Sequence, residues 1–537
     1  MIAEAPHPSG IRWGQGQNAR TLRLRLQRAD WSQVVRGDAT VLLLKDGLGR
    51  LPSAASQQVA FEIARAGGSG AANPDAAVAA RRLGSLTDAF IVVRPDALIA
   101  VRGGAAATRL FLRREEGGGW LLTDTLGDLD TGALHADWLA AFQANSVQGP
   151  FEPRATLATV FLGVHRIPPA SVVELRGDEI SRREILHDDL HGLPTSSDDL
   201  RQALRDAIAA TTRAAVEATP AGATVAYELS GGMDSTTVAL VAQATVERTG
   251  RSSVAHSIVY PYHEFRRERR FIDAAAQAMG LVPRTLEGHR LLPFDGWDAM
   301  PAHDEPSLAC VGFAQHRAML DAAASAGARV SFHGFGGDTI FGMGPARQFS
   351  GFALQRPAWL GKRGWQAMAH HLEVQQAWFG QGEAGFHRQY FSGAHIDDGW
   401  ADVVLGPRLG CARAGGFTDP AVLRLAAKLW QHQAAGGAYK QILRDLYPTQ
   451  LPAEILSRPH KVAYDGIYVR GYRRHRAMLE NLVQRHAGTL ADSDISPRKL
   501  LAALDKVCRG HLDGDQQLGA VLAGLIWIDT RQPAVAR

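Results

Sequence analysis

An apolar run that ends in a Ser-Gly-Gly loop constrains this chain more than any other feature. Residues 224–229 read TVAYEL, and SGGMDS follows from Ser230 to Ser235. The pattern predicts a strand, a tight loop and a helix that begins near Asp234. Glycines let a ligand approach the backbone, and the first helical turn offers N–H groups and a partial positive charge. The stretch therefore predicts a phosphate cradle at the carboxyl edge of a parallel sheet.

Strand and helix patterns alternate through the region after residue 220. Apolar runs at 253–260 and 328–333 predict two more strands, and a helix is predicted around Glu268–Met279. This alternation predicts an α/β domain with a parallel sheet and helices on both faces. After about residue 350 the pattern becomes mostly helical.

The region before residue 190 has a different pattern and is β-rich. Helical patches are predicted only near 55–66 and 135–144, and short apolar runs lie between turn signals at 39–44, 89–93, 97–101, 109–113, 119–123 and 171–175. A polar linker follows, in which Ser196 and Asp199 resemble a capping box. We therefore predict two domains, residues 1–190 and residues 196–537.

Composition excludes several classes of protein. The net charge of +4 is too small to require a nucleic-acid partner. Three widely spaced cysteines, Cys310, Cys411 and Cys508, form neither a disulfide framework nor a metal-binding pair. The longest apolar stretches fall short of the roughly 20 residues that cross a bilayer. With no recognisable signal peptide, we expect a cytoplasmic protein without an integral membrane segment.

SGGMDS matches the SGGxDS signature of the PP-loop ATP pyrophosphatases, which adenylate a substrate. The resemblance implies an adenine nucleotide α-hydrolase-like fold, ATP as a substrate, and nucleotide contacts from Leu229, Ser230, Gly231, Gly232, Asp234 and Ser235. Taken alone, a Gly-Gly pair is more often a capped strand-to-helix turn. An aspartate facing phosphates requires a divalent cation between them, so Asp234 indicates Mg²⁺.

A second glycine-rich loop reads FHGFGGDTIFG, from Phe332 to Gly342. It resembles the GEGADELFGG loop of class B asparagine synthetases, with Phe335 and Thr339 replacing two glutamates. The resemblance implies that Asp234 and Asp338 hold Mg²⁺ and that the nucleotide site extends to Gly334, Gly336 and Gly337. The alternative is a glycine-rich turn with a capping aspartate.

Between these loops, Asp304 and Glu305 resemble an Asp-Glu-Pro segment of the same family. Two roles stay open for them: they orient the substrate or metal, or they cap the following helix.

The stretch from Lys440 to Gly466 resembles the family's LLR, LP and R-x-K-x-x-F segments. The resemblance places the catalytic lysine on Lys461, with Arg458 three residues ahead where the family usually has two. A cation is needed there because amine attack on an acyl-adenylate builds negative charge on the carbonyl oxygen and the phosphate. The alternative is an ordinary surface lysine.

Residues 83–126 and 163–175 resemble the glutaminase half of asparagine synthetases, an Ntn-type αββα domain. In that family a cysteine directly after the initiator methionine is the nucleophile. Here position 2 is Ile2, the first cysteine is Cys310, and Gly103 stands where the family has an aspartate. We therefore predict that this active site is degenerate and that glutamine is not hydrolysed.

A degenerate glutaminase half joined to an intact synthetase half resembles the β-lactam synthetases and, most closely in the GFGGD loop, the lasso-peptide cyclases. The resemblance implies ATP- and Mg²⁺-dependent macrolactam formation: an Asp or Glu side chain of a precursor peptide is adenylated and then attacked by the peptide's N-terminal amine. It also implies a leader-binding protein and a leader peptidase as partners. The alternatives are a β-lactam-type or ammonia-dependent asparagine synthetase acting on a small molecule, and a non-catalytic nucleotide-binding scaffold.

Overall fold

The computed structural model divides into two compact units, residues 1–135 with 153–191 and residues 136–152 with 192–537. Residues 136–152 thus pack with the second unit although they lie within the sequence of the first. The structure describes residues 11–13, 20–25, 31–36, 39–44, 60, 89–103, 109–116, 119–126, 133–147, 157–169, 171–184, 192–301, 303–342, 355–379, 405–432, 440–458, 462–512 and 515–531.

The described part of the first unit consists mainly of two β-sheets. Their strands are β1 Ile11–Trp13, β2 Arg20–Arg25, β3 Trp31–Arg36, β4 Ala39–Leu44, β5 Ala89–Val93, β6 Leu98–Arg102, β7 Phe111–Arg114, β8 Trp120–Thr123, β9 Val164–Arg166, β10 Ser171–Arg176 and β11 Glu179–Glu184. Among the described residues, one sheet has the order β1-β2-β8-β7-β9 and the other the order β11-β10-β6-β5-β4-β3.

Both sheets contribute to one apolar core, which includes Ile91, Leu112 and Val173. Each of the six apolar runs that predict strands here overlaps one of these strands. The helical patch predicted near 55–66 lies outside the described residues apart from Ala60. The glutaminase-like αββα fold stays a prediction.

The second unit is a mixed α/β structure. Its helices are α1 Trp138–Val147, α2 Ser197–Glu217, α3 Met233–Arg248, α4 Glu268–Gln277, α5 Ala309–Ser325, α6 Gly337–Phe341, α7 Lys362–Phe379, α8 Gly406–Arg408, α9 Pro420–His432, α10 Gln441–Leu446, α11 Ala453–Leu456, α12 Asp465–Arg474, α13 Arg476–Arg485, α14 Ala487–Asp492, α15 Pro497–Cys508 and α16 Asp515–Arg531. Its strands are β12 Thr224–Glu228, β13 Ser252–Val259, β14 Arg284–Glu287, β15 Ala328–His333 and β16 Ala412–Gly415.

These strands form a parallel sheet in the order β14-β13-β12-β15-β16 within the described part of the chain. β12 is central and pairs with β15 from Thr224 opposite Ala328 to Tyr227 opposite Phe332. Because the strands are parallel, the loops that follow β12 and β15 meet at the same sheet edge. Ligands of open α/β sheets bind at this kind of edge.

Helix α2 shows how the sequence begins the second unit. The Ser196 side chain accepts a hydrogen bond from the Asp199 N–H at 3.1 Å, as the capping pattern predicts. Leu200, Leu204 and Ile208 recur on one face of the helix and are buried. Burying one such side chain stabilises the fold by roughly 1.5–3 kcal/mol.

The sequence pattern missed several strands, including β14 of this sheet, and the reason is clearest for β16. Its residues read ARAG and have no apolar alternation, and all four are only partly buried at the edge of the sheet. Pairing with β15 therefore makes this segment a strand. Within the described helices, none combines the length and apolar character needed to cross a membrane.

Candidate functional site

The loops after β12 and β15 form the base of a cleft of about 610 Å³. The first consists of Leu229, Ser230, Gly231 and Gly232, and we call it loop 1. The second consists of Gly334, Phe335 and Gly336, and we call it loop 2. The structure thus brings together the two glycine-rich motifs, which lie about a hundred residues apart in sequence.

Loop 1 is held by contacts on both sides. Leu229 is buried, and its N–H donates to the carbonyl of His256 at 2.8 Å. Gly231 has a positive φ of 66°, and a Cβ there would lie 2.8 Å from the backbone N of Ile272 in α4. Glycine at 231 therefore serves both the turn and the close approach of α4.

Helix α3 begins directly after loop 1. Its N-cap residue is Gly232, which has no side chain to accept a hydrogen bond from the first-turn amides. The Ser230 N–H donates to the Ser235 hydroxyl at 3.3 Å, and the two serine hydroxyls lie 3.2 Å apart. The resulting group of amides and hydroxyls at a helix N-terminus is suited to phosphate oxygens.

Loop 2 packs directly on the start of α3. A Cβ on Gly334 would lie 2.3 Å from the N of Ser235, and a Cβ on Gly337 would lie 2.3 Å from the Cγ of Asp234. Gly336 has a positive φ of 82° and caps α6. The sequence predicts that these glycines let the nucleotide approach. The structure gives Gly334 and Gly337 a further role, since the absence of a Cβ lets them pack on the start of α3.

The two predicted metal ligands point at one cation. Asp234 and Asp338 both contact the ammonium of Lys440, with 2.7 Å between Lys440 Nζ and Asp338 Oδ1. Lys440 is 5% exposed, whereas the Asp338 side chain is 74% exposed. Two carboxylates from two loops therefore converge on a single positive charge.

Lys440 is the functional candidate that sequence reasoning missed. It opens the quoted Lys440–Gly466 stretch, and it is one of only seven lysines among 58 basic residues. Burial opposes the charge of its ammonium, but Asp234 and Asp338 outweigh that effect and raise the pKa of Lys440. The sequence feature that could have indicated Lys440 is the rarity of lysine in this arginine-rich chain.

Arg458 lies at the same cleft but contacts protein groups in the described structure. Its guanidinium donates to the Gly231 carbonyl at 3.0 Å and to both carboxylate oxygens of Glu268 at 2.7 Å. It also lies 4.2 Å from the centre of the Phe271 ring. These contacts join loop 1 to α4 and favour a positioning role for Arg458. Lys461, the predicted catalytic lysine, lies outside the described residues.

A buried ion pair links strands β12 and β16 beneath the loops. Glu228 at the end of β12 accepts hydrogen bonds from Arg413 of β16 at 2.9 and 3.0 Å, and from Ser331 of β15 at 3.2 Å. Burial opposes ionisation of Glu228, but Arg413 outweighs it and keeps the Glu228 pKa below its ordinary value.

One wall of the cleft is aromatic. The rings of Tyr260 and Phe265 lie 5.0 Å apart, and those of Phe265 and Tyr464 lie 5.5 Å apart. The Tyr260 hydroxyl accepts a hydrogen bond from Gln315 at 3.0 Å, and burial raises the pKa of Tyr260. The cleft therefore joins a polar phosphate-binding base to an apolar wall.

The Asp304-Glu305 segment lies in the interior, and its two predicted roles stay predictions. Both residues are buried, and neither lines the cleft. Just before α5, the Ser307 hydroxyl accepts a hydrogen bond from the Ala309 N–H at 3.0 Å. Arg531 of α16 donates to the Asp304 carbonyl at 3.0 Å, so the segment contacts the C-terminal helix.

The residues of the site fit the groups that the resemblance implies. Carboxylate oxygens are the protein ligands that Mg²⁺ prefers, and the shared ammonium shows that Asp234 and Asp338 can face one cation. The described residues contain no group of three or more His, Cys, Asp or Glu that could hold a metal. Mg²⁺ bound with a nucleotide takes water and phosphate oxygens as its other ligands, which is compatible with two protein carboxylates.

Comparison with known proteins places this cleft in a family context. Residues 199–398 match the family model described as asparagine synthase. A search of the curated proteins finds no match. Among the solved structures that match is U34-tRNA thiolase NcsA from Methanococcus maripaludis with its 4Fe-4S cluster, at 11% identity and a TM-score of 0.24, over 59% of this chain and 80% of that chain. The asparagine synthase match contains both glycine loops and ends before Lys440 and Arg458.

Proposed function

We propose that this chain is an ATP- and Mg²⁺-dependent ligase that forms a macrolactam in a ribosomally made peptide, as the lasso-peptide cyclases do. One observation carries the proposal. Within a region that matches asparagine synthase, the two glycine loops place Asp234 and Asp338 on one cation beside an uncapped helix start. A helix N-terminus next to two carboxylates that can face a cation is suited to bind the phosphates of ATP together with a metal.

The proposed reaction has two steps. A side-chain carboxylate of the peptide attacks the α-phosphorus of ATP, the bond to the β-phosphate breaks, and pyrophosphate leaves. The peptide's N-terminal amine then attacks the acyl carbon, the bond to AMP breaks, and the amine loses a proton. Ser230, Gly231, Gly232 and Ser235 hold the phosphates, with the backbone of Leu229, Gly334, Gly336 and Gly337 around them.

Charge stabilisation is divided among the cations of the cleft. Asp234 and Asp338 would hold Mg²⁺, which when bound neutralises phosphate charge. Lys461 stabilises the negative charge that develops on the acyl oxygen and the departing AMP. Arg458 keeps Gly231 and α4 in place for this chemistry.

Two features support a peptide as the substrate. The aromatic wall of Tyr260, Phe265 and Tyr464 adds an apolar surface next to the phosphate loops, where a folded peptide can bind. Residues 1–191 contain no cysteine, so this region has no thiol to release ammonia from glutamine. The attacking amine then comes from the substrate or from another molecule.

Holding the peptide's amine against the acyl carbon can lower the activation barrier of amide formation by several kcal/mol. A leader-binding protein and a leader peptidase are the proposed partners.

Mass spectrometry of the precursor peptide tests the proposal. The peptide is incubated with this protein, the leader peptidase and Mg-ATP, and AMP and ADP are quantified in parallel. Loss of one water with an equal amount of AMP is the expected result. Release of free asparagine with ammonia present indicates a small-molecule synthetase instead, and nucleotide binding without any AMP indicates a scaffold.

A lysine variant tests the assigned chemistry. Lys461→Ala is expected to slow amide formation by about 100-fold or more, the size of effect seen when one transition-state donor is removed. The exposed Lys499→Ala is the matched control and should retain normal turnover. Normal turnover in Lys461→Ala rules out the role given to this residue.

A further inference from the structure

Lys440 has an unusual backbone for a buried lysine. Its φ of 56° lies in the left-handed region, where residues other than glycine are uncommon. Its N–H donates to the carbonyl of Gly342, at the end of α6, and the following residues form α10. A strained residue of this kind persists only where the surrounding structure holds it in place. Here the position aims the ammonium at both loops.

The charges around Lys440 explain why it is held there. Asp234 at the start of α3 is largely buried, and Asp338 approaches it from α6. Without a cation, the two carboxylates would repel each other. The ammonium cancels that repulsion and joins the two loops.

We propose that Lys440 is the built-in counter-cation of the Asp234–Asp338 pair, and that a divalent cation binds by taking its place between the carboxylates. A metal ion that arrives alone leaves the displaced ammonium buried next to a new positive charge. A metal that arrives with a nucleotide brings phosphate oxygens that offset both charges. Metal binding at this site is therefore made dependent on the nucleotide by Lys440. This inference rests on the metal-ligand role that the proposed function gives to Asp234 and Asp338.

Binding of Mn²⁺ alone, followed by electron paramagnetic resonance, tests the exchange without any turnover. Lys440→Met keeps the length of the side chain and removes its charge, and the exposed Lys506→Met on α15 is the matched control. We expect Lys440→Met to bind Mn²⁺ at least tenfold more tightly than the wild type in the absence of nucleotide. We also expect its thermal midpoint to fall without metal and to recover when Mn²⁺ is added.

A nucleotide analogue completes the test. With α,β-methylene ATP present, the wild type should bind Mn²⁺ at least tenfold more tightly than without it, and Lys440→Met should show a smaller gain. Equal Mn²⁺ affinity in wild type and Lys440→Met overturns the exchange while leaving the ligase proposal intact. If neither protein binds Mn²⁺ even when the analogue is present, the metal assignment and this inference fall together.

A second variant keeps the inference testable if Lys440→Met does not fold without metal. Lys440→Met combined with Asp338→Asn removes one charge of each sign, which relieves the repulsion at the loops. This double variant has lost one proposed metal ligand and should bind Mn²⁺ weakly, but its Mn²⁺ affinity should gain less from the analogue than that of the wild type does. Nucleotide dependence equal to that of the wild type would contradict the role of Lys440.

Discussion

Loop 1 and loop 2 contribute to the same cleft but are held in place by different means. Loop 1 is fixed by directional contacts: Arg458 binds the Gly231 carbonyl and Glu268, and two serines contact each other. Loop 2 is held by close packing of Gly334 and Gly337 on α3 and by the ammonium of Lys440. Loop 1 is therefore supported by Arg458, whereas loop 2 depends on the start of α3 and on Lys440.

This difference has a consequence for the two predicted metal ligands. Asp234 follows loop 1, at the start of α3, and its side chain is 13% exposed. Asp338 follows loop 2, in α6, and its side chain is 74% exposed. The proposed metal site uses both carboxylates, but burial makes Asp234 the more important of the two for the stability of the fold. Activity and stability should therefore respond differently to changes at the two positions.

Substitution of the two aspartates is expected to give the largest effect and tests this asymmetry directly. Asp234→Asn and Asp338→Asn should each weaken binding of Mg²⁺ with α,β-methylene ATP by at least about 100-fold, because each removes a charged metal ligand. Calorimetry with the analogue measures this. Asp234→Asn should also lower the free energy of unfolding by about 2 kcal/mol, and Asp338→Asn by less than about 1 kcal/mol. Equal destabilisation by both variants would contradict the asymmetry.

The next largest effect is expected from Gly334→Ala, which breaks the packing between the loops. The added Cβ would lie 2.3 Å from the N of Ser235 and 2.6 Å from the C of Asp234, so backbone must move. Overpacking of this kind costs roughly 1–3 kcal/mol and should weaken analogue binding roughly 10- to 100-fold.

Gly488→Ala is the matched control for this change. Gly488 lies in α14, and a Cβ there meets nothing within 4 Å. This variant should bind the analogue as the wild type does. Unchanged binding by Gly334→Ala as well would show that the loops do not need their close contact.

A smaller effect is expected when the support of loop 1 is weakened. Arg458→Lys keeps the charge but cannot bind the Glu268 carboxylate and the Gly231 carbonyl together, because it lacks the fork of the guanidinium. We expect analogue affinity to fall about five- to tenfold. Glu268→Gln disturbs only the contact between Arg458 and the carboxylate, so its analogue affinity should fall less. If turnover with bound nucleotide falls far more than affinity, Arg458 acts in the chemistry and is more than a positioning residue.

The smallest effect on binding is expected beneath the loops, at Glu228. Its pKa in the folded protein lies below the ordinary value of 4.5, so the native state holds fewer protons than the unfolded chain as the pH falls. The ion pair with Arg413 therefore stabilises the fold above about pH 4.5, and this contribution is lost below it.

Glu228→Gln tests the direction of this pH dependence. The variant should be less stable than the wild type near neutral pH, and the difference in thermal midpoint should shrink as the pH falls below about 4.5. Analogue binding near neutral pH should change less than about threefold, since Glu228 acts through the strands. The exposed Glu217→Gln is the control. A pH-independent gap for Glu228→Gln would refute the linkage.

Much of this site could be predicted because it is encoded locally. An apolar run followed by glycines and a helical pattern marks Ser230–Asp234 and Gly334–Asp338 within a few residues each. The parallel sheet follows from alternating strands and helices. The capping pair Ser196 and Asp199 could be predicted from a segment of four residues. Such features depend on backbone conformation and side-chain periodicity, which neighbouring residues determine.

The tertiary structure decided what these motifs contact. Lys440 reaches Asp234 across 206 positions, Arg458 reaches Glu268 across 190, and Arg413 reaches Glu228 across 185. The ARAG segment becomes a strand only beside β15, and Asp304 and Glu305 lie in the interior rather than in the cleft. Burial and long-range pairing single out Lys440 among the described lysines. No local pattern contains that information, because the partners meet only when the sheet and its helices pack.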